Sequence, residues 1–298
     1  MILVLGATGS IGTRLVRALR EAGEPVRAFV RDRAKGETLG VPLAVGDLDD
    51  PASVAAAMAG VDRVLLNAGG AVPAVGEQPM VRQQKAAIDA ARMAGVSRLV
   101  KVSVWGAKPG GRLAEGAHGE IERHLKTSGL VWSILQPSGF MQNFITGAGA
   151  FTADGDLIGA YGDARVSYVD CADLAACAQA LLTGEARAGE TFIPTGPESL
   201  THTEIAALLS AAWRRPVRYV DLPPDQFAAR LTAQGLPADF AAAVAELFAE
   251  VAAGTLAATT THVQDLTGRE PRAFADFLAA ADGGAAAEVA ESGAAAGG

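Results

Sequence analysis

Ile2-Leu3-Val4-Leu5-Gly6-Ala7-Thr8-Gly9-Ser10-Ile11-Gly12 is the stretch that decides the fold. Four apolar residues stopped by a glycine read as a buried parallel strand. From Ser10 to Ala22, the residues Ile11, Leu15, Ala18, Leu19 and Ala22 share one helical face, and Gly23 ends the run. Gly6, Gly9 and Gly12 therefore sit between a strand and a helix. Gly6 permits the tight turn, Gly9 lets the backbone approach a pyrophosphate, and Gly12 allows the helix to pack closely on the strand. The helix N-terminal amides then meet the phosphate charge. A glycine triplet alone says little, but a strand before it and a helix after it make this a dinucleotide loop.

Outward from that loop the chain keeps the same rhythm. Strands are expected over Val26 to Val30, Leu43 to Val45, Val64 to Leu66, Leu99 to Val102 and Val131 to Leu135. Between them, helices are expected from Pro51 to Gly60 (capped by Asp49 or Asp50), Val81 to Ala94 and Glu115 to Thr127. Such alternation implies right-handed crossovers and a Rossmann-type α/β fold, a doubly wound parallel sheet. After Pro137 the pattern changes. Residues 139–163 read as a loop over a cleft, and Val166 to Val169 and Thr191 to Pro194 as strands around a helix from Asp170. Beyond Thr201 the chain reads as mostly helical. The expected organisation is a dinucleotide-binding domain over 1–145, with 165–195 returning to it. A smaller, mainly helical substrate-binding part over 196–282 would close the cleft with the loop 139–163. The Ala/Gly-rich stretch 283–298 has the composition of a disordered tail.

Composition bounds the function. Of 298 residues 50% are hydrophobic and 19% charged, so a large core is available; the net charge of −8 lacks the footprint of a nucleic-acid binder. No apolar run reaches the ~18 residues of a membrane span. The start MILVLGATGS has no charged segment of a secretory signal. Cys171 and Cys177 form neither a disulfide framework nor a metal set, as in a cytoplasmic protein, and read as core residues. The histidines at 118, 124, 202 and 262 lack zinc-like spacing, so no metal is expected. A small-molecule substrate is the expected partner, with monomer and homodimer both open.

The dinucleotide is chosen at the end of the second strand, where the sequence is Val30-Arg31-Asp32-Arg33. An arginine there accommodates the 2′-phosphate of NADP, whereas an acidic residue binds the ribose of NAD. Arg31 comes first and favours NADP; Asp32 is the competing signal. In Gly46-Asp47-Leu48, Asp47 either accepts from an adenine amino group or caps the next helix.

Together, Gly6-Ala-Thr-Gly-Ser-Ile-Gly12, Val30-Arg-Asp-Arg33 and Gly46-Asp-Leu-Asp-Asp50 resemble the short-chain dehydrogenase/reductase superfamily. Val102-Ser-Val-Trp-Gly-Ala107, Pro137-Ser-Gly-Phe-Met-Gln-Asn-Phe144 and Leu266-Thr-Gly-Arg-Glu-Pro271 narrow this to its atypical NmrA-like branch. Quinone reductases and triphenylmethane reductases belong to that branch. The resemblance implies cofactor contacts at Gly6, Thr8, Gly9, Ser10, Ile11 and Gly12, and at Arg31 and Asp47. It also implies a nicotinamide-side wall at Asn67, Ala68 and Gly69 and at Pro137 and Phe140. Trp105, Met141, Asn143 and Phe144 would bound the substrate.

Superfamily ketoreductases place a lysine four residues after a tyrosine, so that the ammonium lowers the phenol pKa. Here Tyr161 is followed at that spacing by Arg165, Tyr168 by Ala172 and Tyr219 by Pro223, so the pair is absent. By the resemblance, Ala114 and His118 stand at its two positions. Three readings stay open. One is an NADPH-dependent reductase of a quinone-like or conjugated carbonyl compound, with His118 as proton donor and Ser103 hydrogen-bonding the substrate oxygen. The others are a catalytically silent NADP-binding regulator, and a specialised biosynthetic enzyme, redox or non-redox, on the same scaffold.

Overall fold

The computed structural model describes residues 1–74, 76–146, 151–185 and 187–281. In chain order the elements begin β1 (Ile2–Leu5), α1 (Ser10–Glu21), β2 (Val26–Val30), α2 (Arg33–Glu37), β3 (Leu43–Val45) and α3 (Pro51–Ala57). They continue with β4 (Arg63–Leu66), α4 (Pro79–Met93), β5 (Arg98–Val102), α5 (Leu113–Lys126) and β6 (Trp132–Leu135). A 3-10 turn, Met141–Phe144, precedes β7 (Leu157–Gly159), α6 (Cys171–Thr183) and β8 (Glu190–Phe192). The rest is α7 (His202–Trp213), β9 (Tyr219–Asp221), α8 (Pro224–Ala233), α9 (Ala238–Ala252), α10 (His262–Thr267) and α11 (Phe274–Ala281).

The chain divides into two units. The first comprises Met1–Pro137, Cys171–Pro194 and His262–Arg269. Its sheet has seven strands in the order β3-β2-β1-β4-β5-β6-β8, every neighbouring pair parallel. β1 lies inside the sheet between β2 and β4 and is buried along its whole length, as a strand covered on both faces must be. Leu3, Leu5, Val64, Leu66, Leu99 and Ile134 pack against α3, α4 and α5. Strand alternation sends Ile2 and Val4 to the opposite face, where α1 and α6 pack on each other and on the strands. The order of the strands reverses between β1 and β4, and the crevice at such a reversal is where doubly wound sheets bind ligands.

Local chemistry explains the helix starts. Asp50, with Pro51 next, caps α3 by accepting from the Ala52 amide at 3.0 Å. Both cysteines are buried, and burial pushes the Cys177 thiol up to about 12, consistent with a core role.

The second unit comprises Ser138–Asp170, Thr195–Thr261 and the chain from Glu270. Phe144, Tyr168, Phe274, Ile205 and Leu209 lie in its main core, with α7 and α11 packed on one another. Two expectations are corrected here. Val166 to Val169 forms no strand: Val166 bridges Leu200 and Val169 bridges Phe140 as isolated pairs. Within the expected loop, Leu157–Gly159 is a strand that pairs in parallel with Tyr219–Asp221. Three-residue strands are too short to show a period, and their partners are distant in sequence. α10 belongs with the first unit, where the Ile193 amide donates to His262 Nδ1 at 2.9 Å. Residues 147–150 of the expected loop and the whole of 283–298 lie outside the described residues. Among the described residues, no helix is long and apolar enough to cross a membrane.

Candidate functional site

In the first unit, the loops at the carboxyl ends of β1, β2, β3 and β4 enclose a cavity of about 350 Å³. Gly6, Thr8 and Gly9 form one wall, Arg31, Asp47 and Leu48 another, and Asn67, Ala68, Gly69 and Gln83 a third. Eight of the residues expected to touch a cofactor are therefore brought together here: Gly6, Thr8 and Gly9, then Arg31 and Asp47, then Asn67, Ala68 and Gly69.

The glycines do separate jobs. Gly6 has φ +79°, and a Cβ there would stand 1.6 Å from the Asn67 carbonyl oxygen. A Cβ on Gly12 would stand 2.1 Å from the Gly6 oxygen. Gly9 is open by comparison, the nearest atom to its Cβ position being the Gly6 oxygen at 3.4 Å. It is also the N-cap of α1, which has neither a side-chain cap nor an acidic residue in its first turn. First-turn N–H groups left this way, with the helix dipole behind them, suit a phosphate. Ser10 is exposed at the start of α1, while Ile11 and Gly12 are buried and shape the turn from below.

The acidic competitor at the second strand is occupied elsewhere. Asp32 caps α2, accepting from the amides of Ala34 at 2.9 Å and Lys35 at 3.3 Å. Arg31 is left exposed on the cavity wall. Asp47 does not cap α3, since Asp50 does; its carboxylate accepts from the Asp49 amide at 2.9 Å and it lines the cavity. An exposed arginine, amides at a helix end and a glycine-open loop are donors that fit an adenine dinucleotide carrying a 2′-phosphate.

The other expected residues are placed differently. Pro137 is buried, and its carbonyl accepts from the amide of the half-buried Trp105 at 3.0 Å. In the second unit Phe140 pairs with Val169. Met141 and Phe144 are in that unit's core, the Phe144 ring set edge-on to Tyr168 and Phe274. Asn143, on the same turn, is exposed.

Ser103 and His118 belong to a buried polar cluster under the sheet's carboxyl edge. Ser103 donates to Glu122 Oε1 at 2.5 Å, and Gln136 donates to the same oxygen at 2.8 Å. Lys126 pairs with Glu122 Oε2 at 3.0 Å. His118 Nδ1 stands 2.9 Å from the Nζ of Lys101, a fully buried lysine near the carboxyl end of β5. Lys101 also donates to Gln84 Oε1 at 2.8 Å and to the Val102 carbonyl at 3.1 Å. Burial pulls its pKa down to about 7, opposed by the nearby charge of Glu122. Burial first, and then the Lys101 ammonium, hold the His118 imidazole neutral far below its usual range.

Sequence reasoning missed Lys101, Gln84 and Glu122. One signal was available: in Arg98-Leu-Val-Lys-Val102, a lysine interrupts an apolar run of a central strand and demands buried partners.

Comparison with known proteins finds similar chains of named activity. The chain is 39% identical over 284 residues to an NAD(P)H azoreductase of Xenophilus azovorans, covering 94% of this chain and 97% of that protein. The solved structure of an NADPH-dependent quinone oxidoreductase from Escherichia coli, complexed with NADPH, superposes with a TM-score of 0.81 at 28% identity. That match covers 94% of this chain and 99% of the other. A Citrobacter triphenylmethane reductase complexed with NADP(H) gives a TM-score of 0.80 at 25% identity, over 94% of this chain and 100% of its own. The model of the NmrA-like family matches residues 1–278, and the chain belongs to that family.

Proposed function

We propose that this protein is an NADPH-dependent reductase that passes hydride to a quinone-like or conjugated carbonyl compound. The cofactor is NADP(H). The observation that carries the reading is the cavity itself, where Arg31, the open Gly9 loop and the uncapped start of α1 converge. Relatives that use NADPH on quinones and NAD(P)H on azo compounds support a small-molecule acceptor.

Bound NADPH supplies the hydride. The protein's part is to hold the dinucleotide: Arg31 at the 2′-phosphate, first-turn amides of α1 at the pyrophosphate, Asp47 and Leu48 at the adenine side. Proton delivery supports the choice of acceptor. The tyrosine acid of ketoreductases is absent, and His118 is neutral and already accepts from Lys101. The single O–H of Ser103 is committed to Glu122. An acceptor whose reduced form is a stabilised oxyanion needs no strong acid beside it, whereas a simple ketone does. Positioning and exclusion of water then supply most of the rate.

The test is direct. Purified protein with NADPH and a panel of quinones, enones and simple ketones should consume reduced nicotinamide with the conjugated acceptors and not with the ketones. Tight NADPH binding without oxidation by any acceptor would overturn the reductase reading and favour a regulatory NADP-binding protein.

A further inference from the structure

Lys101 offers three N–H groups and has three acceptors within reach: Gln84 Oε1, the Val102 carbonyl and His118 Nδ1. That arrangement matches an ammonium, with nothing left for solvent. Gln84 is fully buried too, and its amide group is used at both ends. Its Oε1 accepts from Lys101, and its Nε2 donates to the carbonyl oxygen of Ala68. An amide that must present oxygen to an ammonium has its nitrogen pointed the other way, so the lysine fixes which group meets Ala68. Ala68 lines the cavity, and the adjoining Asn67 carbonyl is the atom that leaves no room for a side chain on Gly6.

We propose that Lys101 and Gln84 are positioning residues for the dinucleotide: the buried ammonium orients the Gln84 amide, which pins the Asn67-Ala68-Gly69 wall against the glycine loop. Neither side chain lines the cavity, so their effect runs through the Ala68 backbone. The inference rests on reading that cavity as a dinucleotide site, and not on which acceptor is reduced.

The test compares NADPH and NADP⁺ affinities, measured by titration calorimetry, for the parent and three variants. Gln84→Glu keeps the shape and an acceptor for Lys101 but removes the donor to Ala68. Lys101→Met removes the ammonium. Ile88→Ala, on the same helix and fully buried in the apolar core, is the reference for simple loss of stability. Expected is a roughly tenfold weaker affinity for both nucleotides in Gln84→Glu and Lys101→Met, with Ile88→Ala within about twofold of the parent. Faster amide exchange at residues 67–69 should accompany the first two, read on the unliganded proteins. Parent-like affinity in Gln84→Glu would overturn the proposal, and so would an equal loss in Ile88→Ala. Should Lys101→Met fail to fold, Gln84→Glu decides alone. A parent that binds NADPH but reduces nothing would sink the reductase reading and leave this one standing. A parent that binds neither nucleotide would remove both.

Discussion

Lys101 Nζ and His118 Nδ1 face each other at 2.9 Å, both side chains buried. Burial, and then the Lys101 charge, disfavour a protonated His118, so the imidazole faces the lysine as an acceptor and not as an imidazolium. A His118→Asn variant keeps an acceptor near the Nδ1 position, and His118→Ala does not. We expect His118→Asn to turn over at close to the parent rate, with no new ionisation near pH ~6.5 in its rate profile. His118→Ala should be less stable by about 1–3 kcal/mol, the range for stranding a buried donor. Denaturant titration and a pH–rate profile check both halves. A parent profile with a limb near pH ~6.5 that vanishes in His118→Asn would restore the acid role.

The same burial sets an acid limit on stability. His118 is held neutral in the folded state, and burial pulls His202, in the core of the second unit, down to about 4. Unfolded, each titrates near ~6.5, so below that pH the unfolded chain takes protons that the folded one refuses. Stability is therefore present above about pH 6.5 and falls as pH drops towards the folded values. At about pH 5 each histidine removes about 2 kcal/mol. Urea midpoints at about pH 7.5 and about pH 5 should show the loss in the parent and a smaller one in His118→Asn. Equal losses in the two would contradict the buried, neutral assignment.

Much of the first unit was legible because its signals are local. A strand, a glycine loop and an amphipathic helix lie within Ile2 to Glu21, and each successive βα step repeats the pattern. Arg31 was readable from its place after β2, although only the structure shows Asp32 turned into the cap of α2. What stayed hidden depends on contacts between residues far apart. Leu157–Gly159 is a strand only because Tyr219–Asp221 lies beside it, and α10 joins the first unit through His262 and Ile193. The polar cluster was half visible: Ser103 and His118 were singled out, but Lys101, whose charge adds to burial in holding His118 neutral, lies on β5, and its partner Gln84 on α4.

Gly9 and Gly12 separate binding from folding. A Cβ at Gly12 would stand 2.1 Å from the Gly6 oxygen, a backbone atom that cannot swing aside. Gly12→Ala should therefore unfold the protein or cost it several kcal/mol, with nucleotide binding lost as a consequence. Gly9 has φ −81°, open to any residue, and its Cβ meets one atom at 3.4 Å. Gly9→Ala should fold with a loss of about 1 kcal/mol or less, that of replacing an N-cap glycine. Its methyl group would nonetheless stand where a pyrophosphate must approach the loop, so NADPH affinity should drop by about tenfold or more. Thermal unfolding with and without NADPH separates the two. A Gly9→Ala variant that binds as tightly as the parent would mean the phosphates do not sit on this loop.

Arg31 stands exposed on the cavity wall while its neighbour Asp32 is held by the amides of α2. A guanidinium there has one selective task, since the 2′-phosphate is the only group that separates NADPH from NADH. A charge-assisted pair of this kind contributes about 1.5–3 kcal/mol, or roughly ten- to hundredfold in affinity. Arg31→Ala should weaken NADPH binding by that factor and leave NADH within about twofold, because the loss is confined to the phosphate. Raising the salt concentration should weaken NADPH binding to the parent more than to the variant. Asp32→Asn should leave the preference for NADPH in place, its carbonyl still able to cap α2. If Arg31→Ala weakened NADH as much as NADPH, the arginine would be holding the wall itself, and cofactor choice would have to come from elsewhere in the loop.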